Sequence, residues 1–280
     1  MGPLDPRVTP ARPDLAASHL AGKVQAARFV DGELREIVDP QAPLRRSPAP
    51  DAPLDTEALK GERVMIYENN EEGWSWGQLT ADGYVGWLPT AALRPPGPKP
   101  THRVAVARTL VFPGPSIRLP PLEGLSLGCT LAIERTEDPF GVMAANGYVP
   151  ARHLKPIDEK ETDLVAVAEA FVGVPYLWGG KTSLGLDCSA LVQLALGACG
   201  IPCPRDSDMQ ERTLGAALGP RADLKRGDFV FWKGHVAIAR DAMSLIHANA
   251  FHMAVTIEPA ASTIARIHAA GDPVRIVRRL

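Results

Sequence analysis

The chain has 280 residues, 45% of them hydrophobic and 22% charged, with a net charge of −2. At ~100–200 residues per domain this makes two or three globular domains the expectation, and the charge supplies no basic field for nucleic acid. No run approaches the ~18 apolar residues of a membrane span, and no amphipathic stretch points to a membrane surface.

The opening MGPLDPRVTPARPDLAASHL has no basic start followed by an apolar core. A secretory signal is therefore not expected, and a cytoplasmic location is. The four cysteines (Cys129, Cys188, Cys199 and Cys203) are then expected to be reduced thiols. Cys199 and Cys203 have no matching ligand pair nearby, so no zinc site is expected.

Residues 1–35 read as an extended arm with a short helical piece over 15–27. Residues 36–95 change character. Apolar runs at 64–67, 74–79 and 84–88 are separated by Gly, Asn, Asp and Pro, which is the pattern of a small all-β barrel. Its tryptophans, Trp74, Trp76 and Trp87, are expected in the barrel's own aromatic core. Residues 94–100 (RPPGPKP) form a stiff linker.

Residues 101–157 echo that first pattern. Asp82-Gly83-Tyr84-Val85-Gly86-Trp87-Leu88-Pro89 is answered by Asn146-Gly147-Tyr148-Val149-Pro150, and Leu93-Arg94-Pro95 by Leu154-Lys155-Pro156. Internal repetition of this kind predicts two tandem barrels. Both copies resemble the bacterial SH3-like domain, SH3b.

From Asp158 the period becomes helical. Leu164, Val165, Val167, Ala168, Phe171 and Val172 share a face, with Asp163 or Thr162 as cap. A second helix starts near Cys188. Strands are expected at 228–232, 235–239 and 243–247, giving an α+β domain over 158–280.

Cys188 follows the loop 178–185 and precedes an apolar helical face through Leu191, Leu194 and Ala195. That places it at a helix N-terminus, where the dipole favours a thiolate and free N–H groups can hold an oxyanion. A lone cysteine is as readily a small buried hydrophobe. The histidines decide between the two. His235 and His247 lie six residues before and after Asp241, so an antiparallel hairpin centred there sets them directly opposite, on one face. They can serve as base and orienting partner for the nucleophile. His19, His102, His153, His252 and His268 have no comparable setting.

Residues 163–250 resemble the NlpC/P60 domain, a relative of papain-like peptidases. The resemblance rests on Val174-Pro175-Tyr176-Leu177-Trp178-Gly179-Gly180, Leu186-Asp187-Cys188-Ser189-Ala190-Leu191-Val192, and Pro204-Arg205-Asp206-Ser207 with Gln210. It continues through Leu224-Lys225-Arg226-Gly227-Asp228-Phe229-Val230-Phe231, His235-Val236-Ala237-Ile238-Ala239 and Ile246-His247-Ala248. Ala190 departs from the glycine often found there.

The resemblance implies a Cys188–His235–His247 triad that hydrolyses peptidoglycan stem peptides between γ-D-glutamate and a diamino acid, with no metal or organic cofactor. The SH3b domains and the missing export signal resemble the recycling branch, which requires a free N-terminal L-alanine. It implies that Tyr176 and Trp178 line the cleft, with the Tyr176 hydroxyl assisting the oxyanion, and that Asp187 and Ser189 contact substrate. Arg205, Asp206 and Ser207 would bind the D-glutamyl carboxylate and the alanine amine. A guanidinium suits a carboxylate through paired hydrogen bonds; the plain alternative is a loop salt bridge. In the first SH3b domain Tyr84 is implicated, and Asp55 or Glu57 would meet the amine. The partner is thus a murein-derived peptide, and the oligomeric state is not legible. An N-acetylmuramoyl-L-alanine amidase or other papain-like amidase, a non-catalytic binding module and a lipid acyltransferase are the rival readings.

Overall fold

The computed structural model describes residues 4–280 and falls into two units, the first ending at Ile157 and the second running from Asp158 to Leu280.

The first unit is built on a seven-stranded antiparallel sheet. Its spatial order is Leu54–Leu59, Gln41–Arg45, Val85–Pro89, Trp74–Leu79, Arg63–Asn69, Glu33–Ile37 and Leu93–Arg94. Alternate side chains converge on one core that includes Ile37, Leu44, Val64, Ile66, Leu79, Tyr84 and Leu88. Gly77 and Gly86 are cross-strand partners where the backbone packs against that core. A Cβ at Gly86 would meet Leu44 Cδ2 at 2.2 Å, so the sheet requires glycine there.

The tryptophans do not fill this core. Trp76 and Trp87 pack with Leu15 in a separate cluster, joined by Trp74 and Tyr67. Arg12 stacks its guanidinium 4.4 Å from the Trp76 ring and 5.0 Å from the Trp87 ring. The arm is thereby fastened to the sheet, and the helix expected over 15–27 is absent. Leu15–Ala17 is a strand parallel to Arg28–Val30, with one 3-10 turn at Ser18–Leu20 between them. Leu15, Ala16 and Ala17 are all fully buried along this strand, each paired with a residue of Arg28–Val30. Gly22, at φ +77, ends any helical run.

Residues 102–156 form three small antiparallel sheets instead of one continuous sheet. The echo with the first half is structural at its end. Val85–Pro89, the 3-10 turn Thr90–Ala92 and Leu93–Arg94 correspond to Tyr148–Pro150, Ala151–His153 and Leu154–Pro156.

The second unit opens with α1 (Leu164–Glu169), whose first N–H groups are capped by Asp163. It continues with α2 (Cys188–Ala198) and α3 (Ser207–Thr213). Six antiparallel strands follow: β1 (Ala216–Leu218), β2 (Phe229–Trp232), β3 (His235–Ala239), β4 (Ser244–Asn249), β5 (Ala254–Pro259) and β6 (Ile276–Arg279). Helix α4 (Ala260–Ala269) precedes β6, and the sheet order is β1-β6-β2-β3-β4-β5. The three expected strands are thus the centre of a larger sheet. Val230, Trp232, Ala237, Ala239 and Leu245 on one face meet Ala260, Ile264 and Ile267 of α4. Among the described residues no helix is long and apolar enough to cross a membrane.

Candidate active site

The position of Cys188 is set by the start of α2. Asp187 is in the extended region and its Oδ1 accepts the Ala190 N–H at 2.8 Å, so Cys188 is the first helical residue. The helix is apolar almost all round, with Ala190, Leu191, Val192, Ala195 and Leu196 at 1% exposure or less. It therefore packs rigidly against β3 and β4. Cys188 itself is 6% exposed. Its thiol lies in reach of the Val236 N–H, beside His235 at the start of β3. The segment ahead of it is tied in as well: Tyr176 N–H donates to Met253 O and Leu177 N–H to Leu186 O. This carries Tyr176 towards the cysteine, whose charge would push the phenol further up than burial alone. Tyr176 therefore keeps its proton and can donate it in a hydrogen bond.

His235 and His247 meet at 2.8 Å through Nε2 and Nδ1. They are not directly opposite, as the sequence spacing suggested. The register pairs Ile238 with Ile246 and Ala239 with Leu245, so the hairpin is centred on Ala242, one residue beyond Asp241. Continued to His247, this register reaches Ala237, and His235 is its diagonal neighbour. The even spacing still keeps both rings on one face. The turn shifts because Arg240 N–H pairs with Ser244 O and the Asp241 side chain accepts the Met243 N–H.

The chain of contacts goes two residues further than the sequence reading went. His247 Nε2 lies 2.7 Å from Glu258 Oε2, and Arg266 Nη2 donates to both Glu258 oxygens at 2.8 Å. Glu258 pairs with Leu245 across β4 and β5, which makes it diagonal to His247 in turn. Its place in the alternation of β5 was visible in the sequence, but the neighbouring strand was not. Trp232 is a further addition: its ring sits 5.5 Å from that of His235.

Burial governs the charges. It pushes the Cys188 thiol up to about 12, with Asp187 adding to it against the Val236 N–H, and holds the His235 imidazole down at about 3. His247 is also lowered by burial, against the pull of Glu258. Burial thus favours the neutral thiol and the neutral imidazole.

Arg205 occupies a different place from the one expected. It is 1% exposed, and its Nη1 and Nη2 are bound to Asp187 at 2.9 and 2.8 Å, to Ser189 Oγ at 2.9 Å and to Gly180 O at 3.2 Å. The fork that would grip a substrate carboxylate grips the helix cap instead, so Arg205 is a buried brace at the start of α2. Asp187 and Ser189 are drawn into that brace, with Ser189 Oγ donating to Asp187. Gln210, 0% exposed, donates from Nε2 to Ser189 O and Pro204 O and locks α3 to it. Asp206 caps α3 by position and Ser207 is its first residue, both half-buried. Trp178 is 70% exposed. In the first unit Tyr84 lies in the sheet's core at 4% exposure. Asp55 and Glu57 share one strand; Asp55 is 2.7 Å from Arg46, and Glu57 is 7% exposed.

Comparison with known proteins agrees with this geometry. Residues 173–271 match the NlpC/P60 family, and residues 44–93 match the bacterial dipeptidyl-peptidase SH3 domain. The chain is therefore a cysteine peptidase with an NlpC/P60 domain behind a bacterial SH3 domain. A gamma-D-glutamyl-L-lysine dipeptidyl-peptidase of Bacillus cereus (strain ATCC 10987 / NRS 248) is 27% identical over 242 residues, 74% of this chain and 70% of that one. Its namesake in Bacillus subtilis (strain 168) is 28% identical over 192 residues, 64% of each. The crystal structure of an NlpC/P60 family protein from Bacillus cereus ATCC 10987 has a TM-score of 0.74 at 21% identity, over 88% of this chain and 99% of that one, a likeness of fold.

Proposed function

We propose that this peptidase hydrolyses the bond between γ-D-glutamate and a diamino acid in cell-wall stem peptides, with a free amino-terminal L-alanine required, as in murein recycling. The observation that carries the proposal is a buried thiol on a helix N-terminus, in reach of the Val236 N–H next along the chain from His235, whose Nε2 lies 2.8 Å from Nδ1 of a second histidine. The names borne by the two Bacillus relatives supply the bond. Residues 101–157 are proposed as a second, diverged SH3b copy.

In this reading His235 takes the proton of Cys188 as the sulfur attacks the γ-glutamyl carbonyl. The Cys188 N–H and the Tyr176 hydroxyl hold the oxyanion. The tetrahedral adduct collapses to a thioester as His235 gives the proton to the departing amine. Water, deprotonated by His235, then attacks the thioester, and the acid leaves as the thiol is restored.

Mass spectrometry of products from L-Ala-γ-D-Glu-meso-diaminopimelate, beside its N-acetylated form, tests both parts. Release of L-Ala-D-Glu from the free peptide alone is expected. Cleavage of both discards the amine requirement, and cleavage of neither by folded protein discards the bond.

A further inference from the structure

We propose that Glu258 sets the direction of the hydrogen-bond chain through both histidines and thereby decides which nitrogen of His235 is the base. This rests on the reading of Cys188 and His235 as nucleophile and base.

An ionised carboxylate only accepts hydrogen bonds. Glu258 is so placed: both its oxygens receive Arg266 Nη2 at 2.8 Å, and Oε2 lies 2.7 Å from His247 Nε2. The proton of a neutral His247 must therefore sit on Nε2, which leaves Nδ1 bare. That nitrogen faces His235 Nε2 at 2.8 Å, so His235 must donate from Nε2. A neutral imidazole has one N–H, and Nδ1 of His235 is then the free lone pair available to the thiol. The order passes through two rings because His247 is 1% exposed, with both its nitrogens taken. Glu258 is thus a positioning residue that never touches the reacting atoms.

The groups facing Glu258 all favour its charge. His247 comes from β4, Arg266 from α4, and His252, with Nδ1 at 3.7 Å, from the loop before β5. Against the penalty of burial, His247 and Arg266 hold its carboxyl below the ordinary range. The Arg266 guanidinium also lies 4.0 Å over the Phe251 ring, which keeps it in place. A carboxamide at this position can instead donate to His247 Nε2. Every bond in the chain then reverses, and His235 presents Nδ1–H to the thiol, where it cannot take a proton.

The test is long-range proton–nitrogen NMR of the histidine-labelled full chain at neutral pH, with Glu258→Gln and Glu258→Asp beside it. The wild type is expected to show His235 protonated on Nε2 only; Nδ1–H, or both nitrogens protonated, overturns the proposal without any variant. Glu258→Gln is expected to move the proton to Nδ1 and to lower kcat by about a hundred-fold or more at little change in KM, as other wrong-tautomer variants do. Glu258→Asp is expected to keep the tautomer and recover part of kcat. An unchanged tautomer in Glu258→Gln, or equal losses in both variants with a lowered Tm, reduces Glu258 to an anchor for α4. Iodoacetamide alkylation of Cys188 follows the same order and needs no peptide, so a wrong substrate assignment leaves this test standing.

Discussion

His235 and His247 bond through Nε2 and Nδ1 at 2.8 Å although they are diagonal, not opposite, across β3 and β4. The diagonal brings one ring nitrogen of each to the other and leaves His235 Nδ1 outside that bond. His247→Ala is accordingly expected to lower kcat roughly 10–100-fold with KM nearly unchanged, as for other groups that orient a working imidazole. Steady-state kinetics measures it. A loss equal to that of His235→Ala would make His247 a direct participant.

Cys188→Ala and His235→Ala remove the proposed nucleophile and base. Each is expected to lower kcat by roughly a thousand-fold or more, and the double variant to be little worse, because the two act as a unit. Additive losses in single-turnover assays would contradict this.

Burial favours a neutral thiol beside a neutral imidazole, and that has a pH signature. A thiol pushed up to about 12 is thiolate-poor at neutral pH and gains thiolate as pH rises. The rate of Cys188 alkylation is therefore expected to climb about tenfold per pH unit from pH ~7 to ~10, without a plateau. A plateau beginning in mild acid would show a resting thiolate–imidazolium pair. His235, held down at about 3, stays a competent base as pH falls. The acid limb of kcat/KM should lie well below the usual imidazole value of ~6.5.

Arg205 and Asp187 form a buried pair at the start of α2, next to Cys188. Arg205→Ala leaves the Asp187 charge without its fork and is expected to destabilise the second unit by about 3–5 kcal/mol. Arg205→Lys should recover little, since an ammonium cannot bond both oxygens and Ser189 in one plane. Urea unfolding monitored by circular dichroism reads this. Unaltered stability with a raised KM would restore the carboxylate-binding role.

Leu15 joins the arm to Trp76 and Trp87. Leu15→Ala is expected to destabilise the first unit by about 2–4 kcal/mol, with a change in tryptophan emission at low urea. Unchanged emission would mean that the arm does not depend on this contact.

What could be read locally was read from the sequence. Asp163, one of the two caps expected for the first helix, is the one that caps it, because a short carboxylate ahead of an apolar periodic run accepts free N–H groups. Cys188 stands at its helix start for the same reason. His235 and His247 share a face because their separation is even, a property that survives a one-residue error in the turn centre. Only the tertiary structure decided the rest. The diagonal register depends on hydrogen bonds closing the 240–244 turn, and Glu258 enters through a strand pairing that no local period announces. Arg205 reaches Asp187 across a separation of 18 residues, where burial favours a fixed internal partner over a substrate. The arm became a strand because the two tryptophans lie outside the sheet's main core, and an apolar surface of that size has to be covered.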